Sequence, residues 1–162
     1  MRPLTDSELR SSLVNVTVRE RAQLTPPPDL ADHPWDRLDL LGWRDPRIPA
    51  LGYVVVELDT QPVGVLLKQA ESTPRARAQC SWCEDVQLPN PVVFFSAKRA
   101  GKAGRNGDTI GTLVCAHFEC SQNVRKRPPV AYIGFDVEAA RQRRIDVLRE
   151  HVARFVRDVR DS

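Results

Sequence analysis

Four cysteines are the residues of this chain best suited to chemistry, and they come as two pairs. Cys80 and Cys83 form a C-x2-C pair, and Cys115 and Cys120 follow it after 31 intervening residues. Zinc takes soft ligands at the corners of a tetrahedron, and a C-x2-C turn presents two thiolates from one short segment. All four cysteines fit this arrangement and none is left over. We therefore predict that Cys80, Cys83, Cys115 and Cys120 bind one structural zinc ion.

Other interpretations of the cysteines explain less of the sequence. Two disulfides or four free thiols are possible, but clustered cysteines in a reducing compartment usually indicate metal or redox chemistry. A thioredoxin-like motif would use only Cys80 and Cys83, and its βαβ pattern is missing. His117 lies between Cys115 and Cys120 and could replace one of them as a ligand. We expect sulfur to be preferred, since a thiolate is available on both sides.

Composition and charge bound the class of protein. With 162 residues and 41% hydrophobic residues, the chain can bury a real core. It has no apolar run long enough to cross a bilayer, and Met1 to Asp6 lack the apolar segment of a secretory signal. We therefore expect a cytoplasmic protein. Residues 75–127 carry 9 Lys/Arg and 4 Asp/Glu, a net +5, which favours an acidic protein surface or nucleic acid as a partner.

Local patterns predict the elements that must position the cysteines. Capping boxes at Thr5–Glu8 and Thr17–Glu20 predict two short helices, and Pro26–Pro28 ends the second. Residues 29–49 are expected to be irregular, with a short helical turn and buried tryptophans. Two hairpins are predicted, one around residues 59–62 and one whose strands flank a glycine-rich basic loop. A short helix should run from about Ala116 to Arg125, and apolar residues at helical spacing predict a long amphipathic helix after Asp136.

The order of C-x2-C knuckle, hairpin and helix is that of a treble clef. The predicted fold is therefore α+β, a treble-clef zinc finger integrated with an N-terminal region of helices and a β-hairpin and with a long C-terminal amphipathic helix. Residues 1–74 form the N-terminal region, residues 75–162 carry the zinc finger and last helix, and we expect the two to pack as one domain.

Cations and aromatic residues near the cysteines are candidates for partner binding. The glycine-rich segment carries Lys98, Arg99, Lys102 and Arg105, which would suit carboxylates or phosphates, although a solvated hairpin tip explains them equally well. We expect Trp82, inside the knuckle, to be partly exposed, either as a lid over the zinc or as an interface anchor. The sequence shows no nucleophile elbow and no dinucleotide fingerprint, and four cysteine ligands leave zinc no open position. We therefore expect no enzyme activity and no small-molecule substrate.

A longer run of residues carries a family resemblance. The stretch from Ser96 to Thr112 and the stretch from Cys115 to Ser121 resemble the elongation factor G-binding family, which includes the FusB-type fusidic-acid resistance proteins. The opening Leu4-Thr5 helix, Trp35-Asp36 and the run from Gly42 to Pro46 are similar to its short actinobacterial-type members. The family has a C-terminal treble-clef zinc finger.

The resemblance implies a non-enzymatic protein that binds translation elongation factor G and modulates its release from the ribosome. It places the contact surface on Trp82, on Lys98, Arg99, Lys102 and Arg105, and on Tyr132. Two features differ from FusB-type proteins. FusB-type proteins carry an N-terminal helical bundle, for which residues 1–74 are too short and too rich in β-structure. The zinc site of FusB-type proteins also uses a histidine, whereas the site predicted here is all cysteine. The alternative is a zinc module that binds ribosomal RNA or another nucleic acid, for which Arg75 and Arg77 would add charge.

Overall fold

The N-terminal helices begin where the capping boxes predict. A computed structural model describes residues 1–71, 78–85, 91–130 and 132–161. Helix α1 spans Asp6–Ser12 and helix α2 spans Val18–Gln23. The Thr5 hydroxyl accepts a hydrogen bond from the Glu8 N–H at 3.2 Å, and the Glu8 carboxylate accepts one from the Thr5 N–H at 2.8 Å. Thr17 and Glu20 repeat this exchange. Local sequence is therefore enough to define both helix starts.

One antiparallel sheet of five strands, arranged in chain order, forms the centre of the molecule. Its strands are β1 (Leu41–Arg44), β2 (Leu51–Leu58), β3 (Gln61–Gln69), β4 (Val92–Lys98) and β5 (Thr109–Cys115). Strand β1 corrects the prediction of an irregular segment with only a helical turn over residues 29–49. Short 3-10 turns do occur at Leu30–Asp32 and Trp35–Arg37, but Leu41 and Trp43 alternate with less buried neighbours as strand residues do.

The two hairpins join through a short contact. Strand β3 pairs with β4 only at Lys68–Ser96 and Gln69–Phe95, whereas β4 and β5 pair along their full length from Val92–Cys115 to Lys98–Thr109. The Asn15 amide bridges the two hairpins beyond this ladder by donating to the Leu66 carbonyl at 3.0 Å and to the Lys98 carbonyl at 2.9 Å. The two ends of the β4–β5 hairpin are about 20 Å apart, because six residue steps of a strand rise about 3.3 Å each.

Alternating residues of the sheet enter two separate cores. Tyr53 and Val55 pack with Leu9, Trp35 and Trp43 beneath the N-terminal helices. On the opposite face, the neighbouring residues of β2 and the inner residues of β4 and β5 pack with the cysteines and the C-terminal helix, including Val54, Val56, Phe95, Val114, Leu148 and Phe155. The metal-binding segment is therefore part of the larger hydrophobic core.

Three helices complete the fold: α3 (Gly101–Arg105), α4 (Cys120–Arg125) and α5 (Val137–Arg160). The Asp136 carboxylate caps α5 by accepting a hydrogen bond from the Ala139 N–H at 2.9 Å, and the apolar face of the 24-residue helix is buried as predicted.

The predicted α+β fold class is confirmed. The predicted division at residues 74 and 75 lies outside the described residues. None of the described helices has the length and apolar character needed to cross a membrane.

Candidate metal centre

The first cysteine pair lies in a tight turn fastened to the edge of the sheet. The Glu84 N–H donates to the Cys80 carbonyl at 2.9 Å, which closes the turn. The Cys83 N–H points at the Cys80 sulfur at 3.5 Å. The Ser81 N–H donates to the Leu113 carbonyl of β5 at 2.7 Å. This last bond holds the first pair beside the strand that ends in Cys115.

The second pair lies where β5 turns into α4. The Phe118 N–H donates to the Cys115 carbonyl at 3.0 Å, and Phe118 has a left-handed backbone with φ of 61°. A residue with a Cβ is strained there, so surrounding contacts must hold it in place. The Arg44 guanidinium supplies one by donating to the Ala116 carbonyl at 2.6 Å. Strand β1 therefore supports the turn that separates Cys115 from Cys120.

The four sulfur atoms converge to within 4.8 Å of one another, and all four cysteines are buried. The Cys80–Cys120 and Cys83–Cys115 sulfur pairs are 3.7 Å and 3.6 Å apart. A tetrahedral zinc ion with bonds of about 2.3 Å requires sulfur–sulfur edges of about 3.8 Å, whereas a disulfide requires about 2.0 Å. The cluster fits one structural zinc ion bound by Cys80, Cys83, Cys115 and Cys120. Among the described residues, no other group of three or more potential ligands converges in this way.

Ionisation of all four cysteines would require a cation at the centre of the cluster. Hydrogen bonds from Cys115 and Cys120 lower the pKa of Cys80, whereas hydrogen bonding to Cys115 and Cys80 raises the pKa of Cys120. Four thiolates this close together repel one another, so they cannot all be ionised unless a divalent cation lies among them. A zinc ion would stabilise all four, and its binding free energy would then contribute to folding.

The histidines lie outside this ligand set. His117 is exposed and does not join the cysteine cluster, so the structure gives no support to its replacing Cys115 or Cys120. The His151 Nδ1 atom lies 3.3 Å from the Trp82 carbonyl and links α5 to the cysteine turn. His33 contacts the Asp29 carbonyl through Nδ1 at 3.0 Å.

Trp82 corrects the prediction of a partly exposed side chain, because only 1% of it is exposed. Its ring lies 5.5 Å from the ring of Phe155 and 6.5 Å from that of Phe118, measured between centroids. The long C-terminal helix therefore covers the cysteine turn and buries the indole against Phe155. Trp82 neither lies open as an interface anchor nor offers its face to a partner.

The basic segment lies at the other end of the β4–β5 hairpin from the cysteines. It contains the short helix α3 where we predicted a loop. Gly104 permits this conformation, because a Cβ atom there would lie 1.7 Å from the Arg99 carbonyl oxygen. The Ala100 N–H donates to the Val159 carbonyl at 2.7 Å, so the segment rests on the end of α5. The structure thus places Trp82 and the basic segment at different points along β5, since the Ser81 N–H donates to the Leu113 carbonyl and the Arg99 N–H donates to the Asp108 carbonyl.

The predicted contact residues differ in their availability. Lys98, Lys102 and Arg105 are exposed. Arg99 is half-buried, and its guanidinium donates to the Asp158 carbonyl. Tyr132 is 66% exposed and packs its ring edge-on against Phe135 at 5.4 Å. Arg75 and Arg77 lie outside the described residues.

Comparison with known proteins identifies the family. The sequence model of the FBP C-terminal treble-clef zinc-finger family matches residues 8–159. The chain belongs to this family. The resemblance found in the sequence is thereby confirmed, together with the treble-clef fold and its single structural zinc site.

A solved structure shares this fold. It is that of the fusidic acid resistance protein FusC, with a TM-score of 0.56 and 20% sequence identity. The alignment covers 76% of this chain and 53% of FusC, so the chain spans about half the length of that protein. Among curated proteins, none matches the chain.

Sequence reasoning missed residues whose roles depend on distant contacts. Gly42 and Gly52 leave room for the Phe118 ring, since a Cβ atom on either would lie under 3 Å from it. The carboxylate of Asp39 is fully buried and binds two arginines. Asn123 is 2% exposed and contacts the Cys115 sulfur. The polar sequence of α4 gave no signal that singles out Asn123 or indicates its partner.

Proposed function

We propose that this protein binds translation elongation factor G and modulates its release from the ribosome, without catalysing a reaction. Membership of the FBP C-terminal zinc-finger family supports this proposal, as does the fold shared with a fusidic acid resistance protein. The observation that carries it is a pair of exposed cations at the tip of the β4–β5 hairpin, Lys102 and Arg105, which form no ion pair with the described residues. The zinc ion would hold the base of that hairpin and take no part in contacting the factor.

The tip of the hairpin differs from the arginine-rich face of α5. Within the described ranges, no ion pair involves Lys102 or Arg105. Most of the arginines on α5 have carboxylate partners, as Arg141 has in Glu138 and Arg154 has in Glu150. Exposed cations that are not engaged in ion pairs attract acidic protein surfaces and speed their association.

A second contact point follows from the apolar turn before α5. The Phe135 N–H donates to the Tyr132 carbonyl at 3.2 Å, and Gly134 between them has φ of 83°, so the chain reverses here. The turn leaves Ile133 fully exposed and Val130 56% exposed beside Tyr132. Exposed apolar residues grouped in this way are typical of interaction sites. We therefore assign Tyr132 to the contact surface and remove Trp82 from it.

The absence of catalysis is part of the proposal. A zinc ion held by four thiolates has no open position for a substrate or for an activated water molecule. Binding to elongation factor G would place the protein in the cytoplasm, where translation occurs. Any effect on the ribosome would follow from binding energy between the two proteins.

Binding kinetics with purified elongation factor G test the proposal. The variant Lys102→Ala/Arg105→Ala should remain folded and associate at least severalfold more slowly than the parent at low salt, because two steering charges are lost. A matched control is Arg37→Ala/Arg143→Ala, since both arginines are exposed and form no ion pair within the described part of the chain. The control removes the same net charge and should bind as the parent does. No binding by the parent protein would refute the proposal.

Release from the ribosome needs a separate measurement. Ribosomes carrying elongation factor G stalled by fusidic acid can be sedimented with and without this protein. We expect the protein to lower the amount of factor in the pellet, and the Lys102→Ala/Arg105→Ala variant to do so less. An unchanged pellet would limit the proposed function to binding.

The same cations also suit phosphate, which keeps nucleic acid as the second candidate. Affinity for ribosomal RNA that falls steeply with salt, through release of several counterions, would favour that reading. Binding to elongation factor G with no measurable affinity for RNA would exclude it.

A further inference from the structure

The side chain of Asn123 lies between the cysteine cluster and a cation. It is 2% exposed on α4, and its Nδ2 atom is 3.5 Å from the sulfur of Cys115. Its Oδ1 atom accepts a hydrogen bond from the Lys126 ammonium at 2.7 Å. An ammonium group can only donate, so this bond requires the oxygen of the amide to face Lys126. The amide N–H groups are thereby directed at the sulfur.

The position of Asn123 is fixed by its backbone as well. The Asn123 carbonyl accepts hydrogen bonds from the Arg144 guanidinium at 2.9 Å and from the Lys126 N–H at 3.2 Å. The last turn of α4 is thus held against α5, and the amide cannot easily rotate away from Cys115. The arrangement is built from four separate contacts to one residue.

A hydrogen-bond donor beside a ligand sulfur would offset part of the negative charge of the zinc site. Four thiolates around one Zn²⁺ leave two net negative charges in a buried place, which is costly unless nearby dipoles or cations compensate. An N–H donor to a ligand sulfur withdraws part of that charge and fixes the direction of the sulfur lone pairs. Polarisation by Lys126 makes the Asn123 amide a stronger donor.

We propose that Asn123, oriented by Lys126, is a positioning residue for the zinc ligand Cys115 and raises the affinity of the site for zinc. It acts through the sulfur and does not contact the metal. The Cys83 N–H, 3.5 Å from the Cys80 sulfur, plays the equivalent part in the first pair with a backbone donor. The second pair uses a side chain, so its contribution can be removed by substitution.

Zinc affinity, measured by competition with a chromophoric chelator, tests this proposal without reference to any partner protein. Asn123→Ala should weaken zinc binding by about 10- to 100-fold, the usual effect of losing an outer-shell contact. Asn123→Asp should weaken it further, because a carboxylate would repel the thiolate. Gln122→Ala is the control, since Gln122 is exposed on the same helix and should bind zinc as the parent does.

A spectroscopic reading separates positioning from simple packing. With Co²⁺ in the site, loss of an N–H donor should move the sulfur-to-metal charge-transfer band to lower energy, because the sulfur becomes more electron-rich. If Asn123→Ala does not fold, Lys126→Met gives the second test, since Lys126 is exposed and its loss leaves the amide in place. That variant should shift the band in the same direction by a smaller amount. An unchanged band and an unchanged zinc affinity in either folded variant would overturn the proposal.

Discussion

The carboxylate of Asp39 pairs with the guanidinium of Arg125, and so joins the segment before the sheet to the helix that carries Cys120. The side chain of Asp39 is fully buried, and Arg149 of α5 donates to it as well, at 2.8 Å. The Ser121 hydroxyl accepts a hydrogen bond from the Asp39 N–H at 3.0 Å. Three elements distant in sequence therefore meet at one carboxylate.

Asp39→Ala should destabilise the protein by about 3 kcal/mol, because it removes the charge-assisted hydrogen bonds that a buried carboxylate accepts from two arginines. This value is at the lower end of the range for buried pairs, since 24% of Arg125 and 56% of Arg149 remain open to water. Chemical denaturation of the zinc-loaded protein measures the change. Asp36→Ala, at a nearby exposed position, should shift the free energy of unfolding by less than about 0.5 kcal/mol. Equal stabilities of the two variants would show that the Asp39 pair contributes little.

Phe118 and the two glycines opposite it allow a designed test of packing. A Cβ atom on Gly52 would lie 2.6 Å from the Cζ atom of Phe118, and one on Gly42 would lie 2.4 Å from its Cβ atom. Each alanine substitution should therefore destabilise the protein by about 1–3 kcal/mol through overpacking. Thermal unfolding of the single variants measures this cost.

The rescue depends on which atoms clash. Phe118→Leu removes the Cζ atom but keeps the Cβ and Cγ atoms. Added to Gly52→Ala, it should restore much of the stability that the alanine costs. Added to Gly42→Ala, the matched control, it should restore little stability. Identical rescue of both glycine variants would contradict the packing described for Phe118.

Loss of one zinc-binding cysteine should unfold the protein and not only lower its free energy of unfolding. Structural zinc contributes about 10–16 kcal/mol of apparent binding free energy in small zinc fingers, which is comparable with the whole stability of a domain, about 5–15 kcal/mol. Cys80→Ser should therefore lose both bound zinc and the cooperative thermal transition seen by circular dichroism. Ser81→Ala, in the same turn, keeps its N–H donor to Leu113 and should retain both. A folded Cys80→Ser protein with a full complement of zinc would refute the assigned ligand set.

Tyr53 predicts a loss of stability at high pH. Burial, together with the nearby Asp45 carboxylate, raises the pKa of Tyr53 to about 12, from about 10 in an unfolded chain. The folded state keeps the phenol proton that the unfolded state loses, so its contribution to stability is complete below pH 10 and is lost as pH rises to 12. Between pH 10 and pH 12 the free energy of unfolding should therefore fall more steeply in the parent than in Tyr53→Phe. The difference between the two slopes should be at most about 1.4 kcal/mol per pH unit.

A direct titration checks the same shift. In Tyr132→Phe the remaining tyrosine is Tyr53, so absorbance at the tyrosinate band reports that group alone. We expect a midpoint near pH 12, and a midpoint near pH 10 with the protein still folded would contradict the burial of Tyr53.

The features predicted from the sequence are those that short stretches of chain determine. Thr5 and Glu8 lie three residues apart and define a helix start by themselves, and the apolar spacing of α5 repeats over 24 residues. The two cysteine pairs predicted the metal site because their spacing reflects the geometry of the ion. Strand β1 was missed because it has four residues, too few for alternation to stand out.

The remaining errors concern contacts between distant segments. Trp82 is buried because Phe155 covers it, and the two residues are 73 positions apart in the sequence. The partners of Asp39 and Asn123 likewise come from other elements, and nothing near either residue indicates them. The basic segment was correctly placed between two strands, but the distance from the cysteines followed only from the full pairing of β4 with β5.

The length of the β4–β5 hairpin has a consequence for how such proteins can diverge. Metal binding constrains its base, around Cys115, while residues 99–107 at its tip contribute nothing to the cysteine cluster. Substitutions at the tip can therefore accumulate without loss of the metal, so long as Gly104 keeps its close approach to the backbone. Under the proposed function, a chimaera that exchanges the tip between relatives would change partner preference while the host chain supplied the fold.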